Sequence, residues 1–435
     1  MNRVVVTGIG AVSPIGNSLK ESWTAAKAGL SGIGPITRFD VSGIRWKVAG
    51  ELKEFDAGKY LTGKELIRLD PFVHYAVAAA GMAAEDAGLL QECIPSLEAP
   101  NLHSDKEGTH CASLLAPCSI RDLTAVIIGS GRGGICTMER EFRRAYSSGV
   151  SSSSRKSAYL MSSTTIAMAP SYVARKLGVK GYCLGISNAC ASGASAIGEA
   201  FRLIKSGYET LVLCGGTEAP LCRICMEGYG SSGALSRANN AAASRPFDRT
   251  RDGFVLSEGA CILVLEDYSN ARARGAKIYG EVIGYGNTTD SFHQTVPSSE
   301  GEARAIRNAL AEAELKPEDV QLISAHGTST PLGDKTETAA IKLSFSKSAY
   351  HIPIMSLKSL TGHMLAASGA LDAAFTLLGM NEGVIPPAIN LKNRDPECDL
   401  DYVTEVRKAE IGFALSQSFG FGGVNAVLIF KRMDA

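Results

Sequence analysis

The chain has 435 residues, 45% of them hydrophobic, and its 44 basic and 44 acidic side chains leave no net charge. That composition supports a large buried core in one or two compact bodies. A neutral balance lacks the electrostatic footprint of a general nucleic-acid binder. No window approaches the roughly 18 uninterrupted apolar residues of a membrane helix, and Met1 leads straight into RVVVTGIG, so a soluble, unprocessed, cytoplasmic protein is expected.

The first element, VVVTGIGAVSPIG (4–16), has the look of a strand feeding a glycine turn of a dinucleotide site. The fingerprint needs a helix opening at once after the glycines, and Pro14 interrupts any helix there, so a tight turn under packed strands is the better reading. A helical period follows over 74–89, and then 91–120 and the serine run 147–157 read as loops or insertions. Apolar runs at 124–131, 210–216, 261–266 and 320–327 alternate with helical patterns at 301–315 and 334–345. Continuous apolar strands alternating with helices mark an α/β layered architecture with strands buried on both faces. The order of apolar strand, glycine loop and small-residue helix occurs twice, through Cys190 and again through His363, which hints at an internal duplication.

Eleven cysteines, an odd number over a long chain, fit a reducing compartment better than a disulfide framework. The CxxC pair Cys222 and Cys225 has no second pair or histidine at ligand spacing, so it reads as packing rather than zinc, and no metal or cofactor is expected.

Cys190, in CLGISNACASGASAIGEAFRLIKSG (183–207), stands where an apolar run gives way to a small-residue helical pattern. At a helix N-terminus the unpaired amides favour the thiolate and can hold a thioester oxyanion. From this stretch alone, a packing thiol in a small-residue helix is the better reading. Downstream, ISAHGTSTPLGD (323–334) ends a strand on His326, and SLKSLTGHMLAASGALDAAF (356–375) places His363 five residues after Lys358. Two histidines in glycine- and threonine-rich turns, with an isolated lysine, suit neutral hydrogen-bond donors to a developing enolate or oxyanion. SQSFGFGGVNAVLIF (416–430) adds a turn of Gly420, Gly422 and Gly423 around Phe421 that presents backbone amides to a ligand or lets the ring swing.

With NACASG, AHGTSTPLGD, KSLTGHMLAASGA and SFGFGGVN in this order, the chain resembles the β-ketoacyl-acyl-carrier-protein synthases of the elongating type, members of the thiolase-like condensing enzymes. The match runs from VVVTGIG to LIFK and takes in SRPFDRTRDGFVLSEGA (244–260). The resemblance implies a duplicated five-layered α/β/α/β/α fold, with a first half over 1–266 carrying the cysteine and a second over 267–435 carrying both histidines. It implies that Cys190 accepts an acyl group from an acyl carrier protein, after which malonyl carrier protein loses carbon dioxide and its enolate attacks the acyl-cysteine. His326 and His363 would assist decarboxylation, Lys358 would hold the histidine network, the amides of Cys190 and Phe421 would form the oxyanion hole, and Phe421 with Gly422 would gate the acyl pocket. Thr328 and Thr330 would bind the pantetheine arm, and Lys64, Arg68, Arg155 and Lys156 would dock the acidic carrier protein.

Several positions depart from the family pattern. Arg132, in GSGRGG, stands where an apolar residue usually lines the acyl pocket, so either it turns away or the pocket takes a short, polar or polyene-like chain. Asp372 stands where glutamate is common, one methylene longer, which leaves its link to Lys358 open; Asn188 and Val424 replace threonines, and Gly233 replaces a docking arginine. Fatty-acid elongation is the leading expectation, by a homodimer or a heterodimer with a paralogue. The alternatives are a polyketide or polyene ketosynthase paired with a paralogue, and a non-catalytic chain-length partner, against which Cys190 argues.

Overall fold

In a computed structural model, which describes residues 1–89, 124–147 and 158–433, ten strands form one sheet. The first five are β1 (Val4–Val12), β2 (Thr124–Gly129), β3 (Cys183–Ile186), β4 (Leu211–Glu218) and β5 (Gly259–Asp267). The second five are β6 (Gly280–Thr289), β7 (Leu322–Ser324), β8 (Ile354–Met355), β9 (Phe413–Gly420) and β10 (Val424–Lys431).

The duplication is written in the strand order. The first half runs β3-β2-β4-β5-β1 and the second β8-β7-β9-β10-β6, the same permutation of each set. Directions repeat as well: the third, second and fourth strands of each half are parallel, and the fifth is antiparallel to both the fourth and the first. The halves join where Val4, Val5 and Val6 pair with Val282, Glu281 and Gly280.

Helices α1 (Pro71–Asp86), α2 (Ile135–Ser147), α3 (Met168–Leu177), α4 (Ser192–Lys205), α5 (Arg223–Ser231), α6 (Ser299–Glu312), α7 (Pro331–Phe345) and α8 (Ala366–Glu382) supply the other layers. α1 and α3 cover the first half, α6 and α7 cover the second, and α4 and α8 pack against each other and against strands of both halves. The result is the expected five layers. Position explains composition: α8 is buried at every residue from Ala366 to Leu377, as a helix between two sheet layers must be. The outer α6 buries only a stripe that includes Ala303, Ile306 and Leu310. Ile197, Phe201 and Ile204 of α4 share one core with Leu371 and Phe375 of α8, each contributing about 1.5–3 kcal/mol on burial.

The N-terminal segment is a central strand. β1 ends in a turn in which Ser13 and Gly16 exchange backbone hydrogen bonds, and the next helix starts only at Leu19, so the dinucleotide reading fails for the reason Pro14 gave. The loops expected at 91–120 and 147–157 lie outside the described residues, apart from Ser147, which ends α2. Among the described residues, no helix is long and apolar enough to cross a membrane.

Candidate active site

Cys190 sits in a single 3-10 turn, Ala189–Ala191, that runs straight into α4. Ala189 is held at φ 47°, a left-handed conformation that costs a residue with a Cβ on the order of 1–3 kcal/mol. The Ser192 hydroxyl fixes the turn by donating to Ala189 O (2.6 Å) while accepting from Asn188 N (2.8 Å). Small residues let α8 close over it: a Cβ at Gly193 would stand 2.2 Å from the Ala366 carbonyl oxygen.

The second half delivers the histidines to the same place. His326 follows β7, and its backbone amide and that of Gly327 donate to the two oxygens of Glu337 on α7, at 2.6 and 2.7 Å. His363 lies between the short helix Lys358–Thr361 and α8, its ring centroid 5.3 Å from that of His326 and nearly perpendicular to it. The Ser368 hydroxyl accepts from Met364 N (2.9 Å) and is 3.2 Å from His363 Nδ1. The Ser368 proton is free for Nδ1, and in the tautomer that accepts it Nε2 is the donor of that ring. The Nδ1 of His326 is buried without a hydrogen-bond partner among the described residues. Burial first, and the nearby Lys358 cation second, hold both imidazoles well below the usual histidine range, so both are neutral. Lys358 itself reaches Asp372 on α8 at 2.9 Å.

Cys190, His326, His363, Thr328, Thr330, Phe421 and Gly422 line one cavity of about 390 Å³. Thr328 and Thr330 pair their hydroxyls at 3.1 Å on its wall. Gly422 adopts φ 91° in the turn after β9 and donates its amide to Gln294 O at 2.8 Å, which fixes the backbone around the exposed Phe421 ring.

Arg132 does not line this cavity. Its Nε donates to the Tyr229 hydroxyl at 2.7 Å and its guanidinium lies over the Tyr229 ring, so it bears on the cavity through Tyr229, whose ring stands 6.4 Å from that of Phe421. Lys64 and Arg68 are exposed on the short helix Gly63–Arg68, with Arg68 stacked on Tyr159. Arg155 and Lys156 lie outside the described residues.

Besides Ser368 and Glu337, two features are not legible in the sequence. Glu218, at the end of β4, accepts from Ser130 Oγ, Gly131 N and Arg132 N at 2.8–2.9 Å and from Ala366 N at 3.4 Å, tying the Arg132 loop to the first turn of α8. A carboxylate closing the apolar run LVLCGG was the available signal, and burial pushes it up to about 7. The second concerns the Cys190 thiol. The helix-end argument predicts a lowered thiol pKa, yet burial, and after it the Glu218 charge, push Cys190 up to about 12 against the opposing pull of Lys358, Arg132 and the Phe421 amide. The thiol at rest is protonated because desolvation outweighs a single 3-10 turn of amides.

A repeated α/β unit whose first copy supplies a thiol and whose second supplies two neutral histidines defines a thiolase-like condensing scaffold. Residues 1–271 match the family model for the beta-ketoacyl synthase N-terminal domain and residues 279–392 that for its C-terminal domain, and the chain belongs to the β-ketoacyl synthase family. It is 45% identical over 435 residues to 3-oxoacyl-[acyl-carrier-protein] synthase 2 of Synechocystis, covering 99% of this chain and 98% of that protein. The corresponding Staphylococcus aureus synthase is 41% identical over 437 residues, covering 100% and 99%. Among solved structures, a Burkholderia phymatum β-ketoacyl synthase matches over the full length of both chains with a TM-score of 0.87 and 33% identity. The ishigamide ketosynthase/chain length factor also matches over both full lengths, at 0.88 and 33%. A type II polyketide ketosynthase in complex with its acyl-carrier protein matches at 0.86 and 32%, over 99% and 100%.

Proposed function

We propose that the chain is a 3-oxoacyl-acyl-carrier-protein synthase that joins an acyl group to malonyl carrier protein by decarboxylative Claisen condensation. The observation that carries this reading is the convergence of Cys190, His326 and His363 on one cavity that also holds the Thr328–Thr330 pair and Phe421. Cys190 attacks the acyl thioester, the carrier thiol leaves with the proton the cysteine gives up, and the amides of Cys190 and Phe421 hold the tetrahedral oxyanion. Malonyl carrier protein then takes the vacated arm site along Thr328 and Thr330. His326 and His363 donate to its thioester oxygen, so that the charge released with carbon dioxide is held as an enolate. The enolate carbon attacks the acyl-cysteine and the cysteine thiolate departs.

A neutral donor suits this step, because an imidazolium would protonate the enolate it is meant to stabilise. Lys358 and Asp372 stand behind the rings as positioning residues. Lys64, Arg68, Arg155 and Lys156 belong to the reading as the docking face for an acidic carrier protein, as do a cytoplasmic location and a dimer. The division of the chain at 266 and 267 is likewise part of it, supported by the repeated strand order. The experiment is carbon dioxide release from malonyl carrier protein in step with loss of the acyl adduct; a cysteine hydrolase would release the acyl group and no carbon dioxide.

A second reading, a polyketide or polyene ketosynthase working with a paralogous subunit, is favoured by the Arg132–Tyr229 contact beside the acyl cavity. Turnover by the chain alone with saturated acyl donors supports the first reading over the second.

A further inference from the structure

Three thiols outside the condensing machinery lie together beside the acyl cavity. Cys222 is the N-cap residue of α5 and Cys225 its third helical residue. Cys136, in the first turn of α2, donates its thiol to Ala219 O at 3.0 Å. Cys222 and Cys225 belong to one packed cluster, and Cys136 lies against it. All three are free, and Cys222 and Cys225 are only 6% and 7% exposed.

The surroundings divide the labour among them. A CxxC pair opening a helix places its first sulfur where the amide dipoles favour a thiolate. Here the Cys136 thiol first and the Cys225 thiol second pull the Cys222 pKa down, while their own are pushed up as they keep the protons. The same cysteines share a packed cluster with Cys190, Met226, Tyr229 and Phe254. Tyr229 lies one helical turn beyond Cys225 on the same face of α5. It is the residue that lines the cavity and holds Arg132.

We propose that Cys222 and Cys225 form a reversible dithiol–disulfide site for small-molecule disulfides, whose state sets the position of Tyr229 at the acyl cavity. Cys222 attacks one sulfur of the incoming disulfide, that S–S bond breaks, and one thiolate leaves and takes up a proton. Cys225 then gives up its proton and attacks the Cys222 sulfur, expelling the second thiolate, which collects it. Two protein thiols are oxidised to one disulfide and the incoming disulfide is reduced to two thiols. Closing the bond ties the N-cap to the third helical residue and re-forms the first turn of α5, upon which Tyr229 is stacked.

The test equilibrates the folded full chain, as Cys190→Ser, in glutathione buffers of rising disulfide content, followed by acid quench, alkylation and peptide mapping. The expected product is two hydrogens lighter and carries a Cys222–Cys225 bond. With Cys225→Ser added, it stops at a glutathione adduct on Cys222. Absence of both products, or a bond from Cys136 to Cys222 instead, overturns the proposal. A second arm, which rests on the condensing reading as the mass arm does not, measures acyl transfer to Cys190 with the wild-type cysteine in place. Oxidation is expected to slow it several-fold, reversibly with dithiothreitol, and to spare Cys222→Ser/Cys225→Ser. Equal loss in that double variant assigns the effect to Cys190 and overturns the coupling to Tyr229.

Discussion

Lys358 Nζ lies 2.9 Å from Asp372 Oδ2, with the two side chains 1% and 3% exposed. The family pattern commonly has glutamate at this position, yet the shorter carboxylate closes the contact, because Asp372 faces Lys358 from the second turn of α8, within its buried stretch Ala366–Leu377. The pair supplies a positive charge behind both histidines and neutralises it from the far side, so the site gains potential without an uncompensated buried cation.

Breaking that pair leaves the ammonium buried alone. Asp372→Asn is expected to cost about 3–5 kcal/mol of unfolding free energy by urea titration. Asp372→Glu is expected to cost less, since it restores the counter-charge. Equal losses in both variants would mean that packing volume, not charge, is what the position requires.

The histidines make a prediction in pH. His363 is held well below its ordinary 6.5 in the folded protein, so its contribution to stability is present above 6.5 and is lost as pH falls and the unfolded chain takes up a proton. Between about pH 7.5 and about pH 5.5 that single residue removes about 1.4 kcal/mol. His363→Gln should therefore be less acid-sensitive than the wild type by that amount, compared as the difference in unfolding free energy at the two pH values. Buried carboxyls that are raised, such as Glu218 and Glu337, act in the opposite sense and are common to both proteins.

Tyr229, held from behind by Arg132, lines the cavity near Phe421. Arg132→Ile releases the Tyr229 hydroxyl and is expected to shift the acyl donors that label Cys190 toward longer saturated chains by several-fold. Tyr229→Phe, which removes only the hydroxyl that accepts from Arg132, should shift the preference in the same direction by less. A panel of acyl carrier thioesters read by intact mass checks both.

Glu218 raises the Cys190 pKa by its charge. Glu218→Gln is expected to lower the midpoint of iodoacetamide alkylation at Cys190 by about 1 unit. It should also lower thermal stability, because an amide cannot accept from Ser130, Gly131 and Arg132 as the carboxylate does. An unchanged midpoint would remove Glu218 from the account of the resting thiol.

Local signals carried much of this. The apolar runs at 124–131, 210–216 and 261–266 became strands β2, β4 and β5 because unbroken apolar stretches of that length can only be buried on both faces. The run at 320–327 shortened to Leu322–Ser324, since the amides of His326 and Gly327 leave the ladder for the Glu337 carboxylate, a long-range partner that no local pattern announces. The glycines, histidines and Cys190 were legible as unusual residues in unusual turns. The supports behind them were not: Ser368, Glu337 and Glu218 are ordinary letters on ordinary elements until the fold brings them within hydrogen-bond reach. The thiol pKa was misjudged for a related reason, as burial is a property of the assembled layers and the helix end a property of the local chain.

The most direct measurement is intact-protein mass spectrometry of the wild type, Cys190→Ala, His326→Ala and His363→Ala, first with acyl carrier thioester and then with malonyl carrier protein. No adduct is expected on Cys190→Ala. Both histidine variants should form the adduct but discharge it at least about 100-fold more slowly than the wild type, without carbon dioxide release in step. Equal loss of the first acylation in all three variants would contradict the division of labour between the cysteine and the histidines.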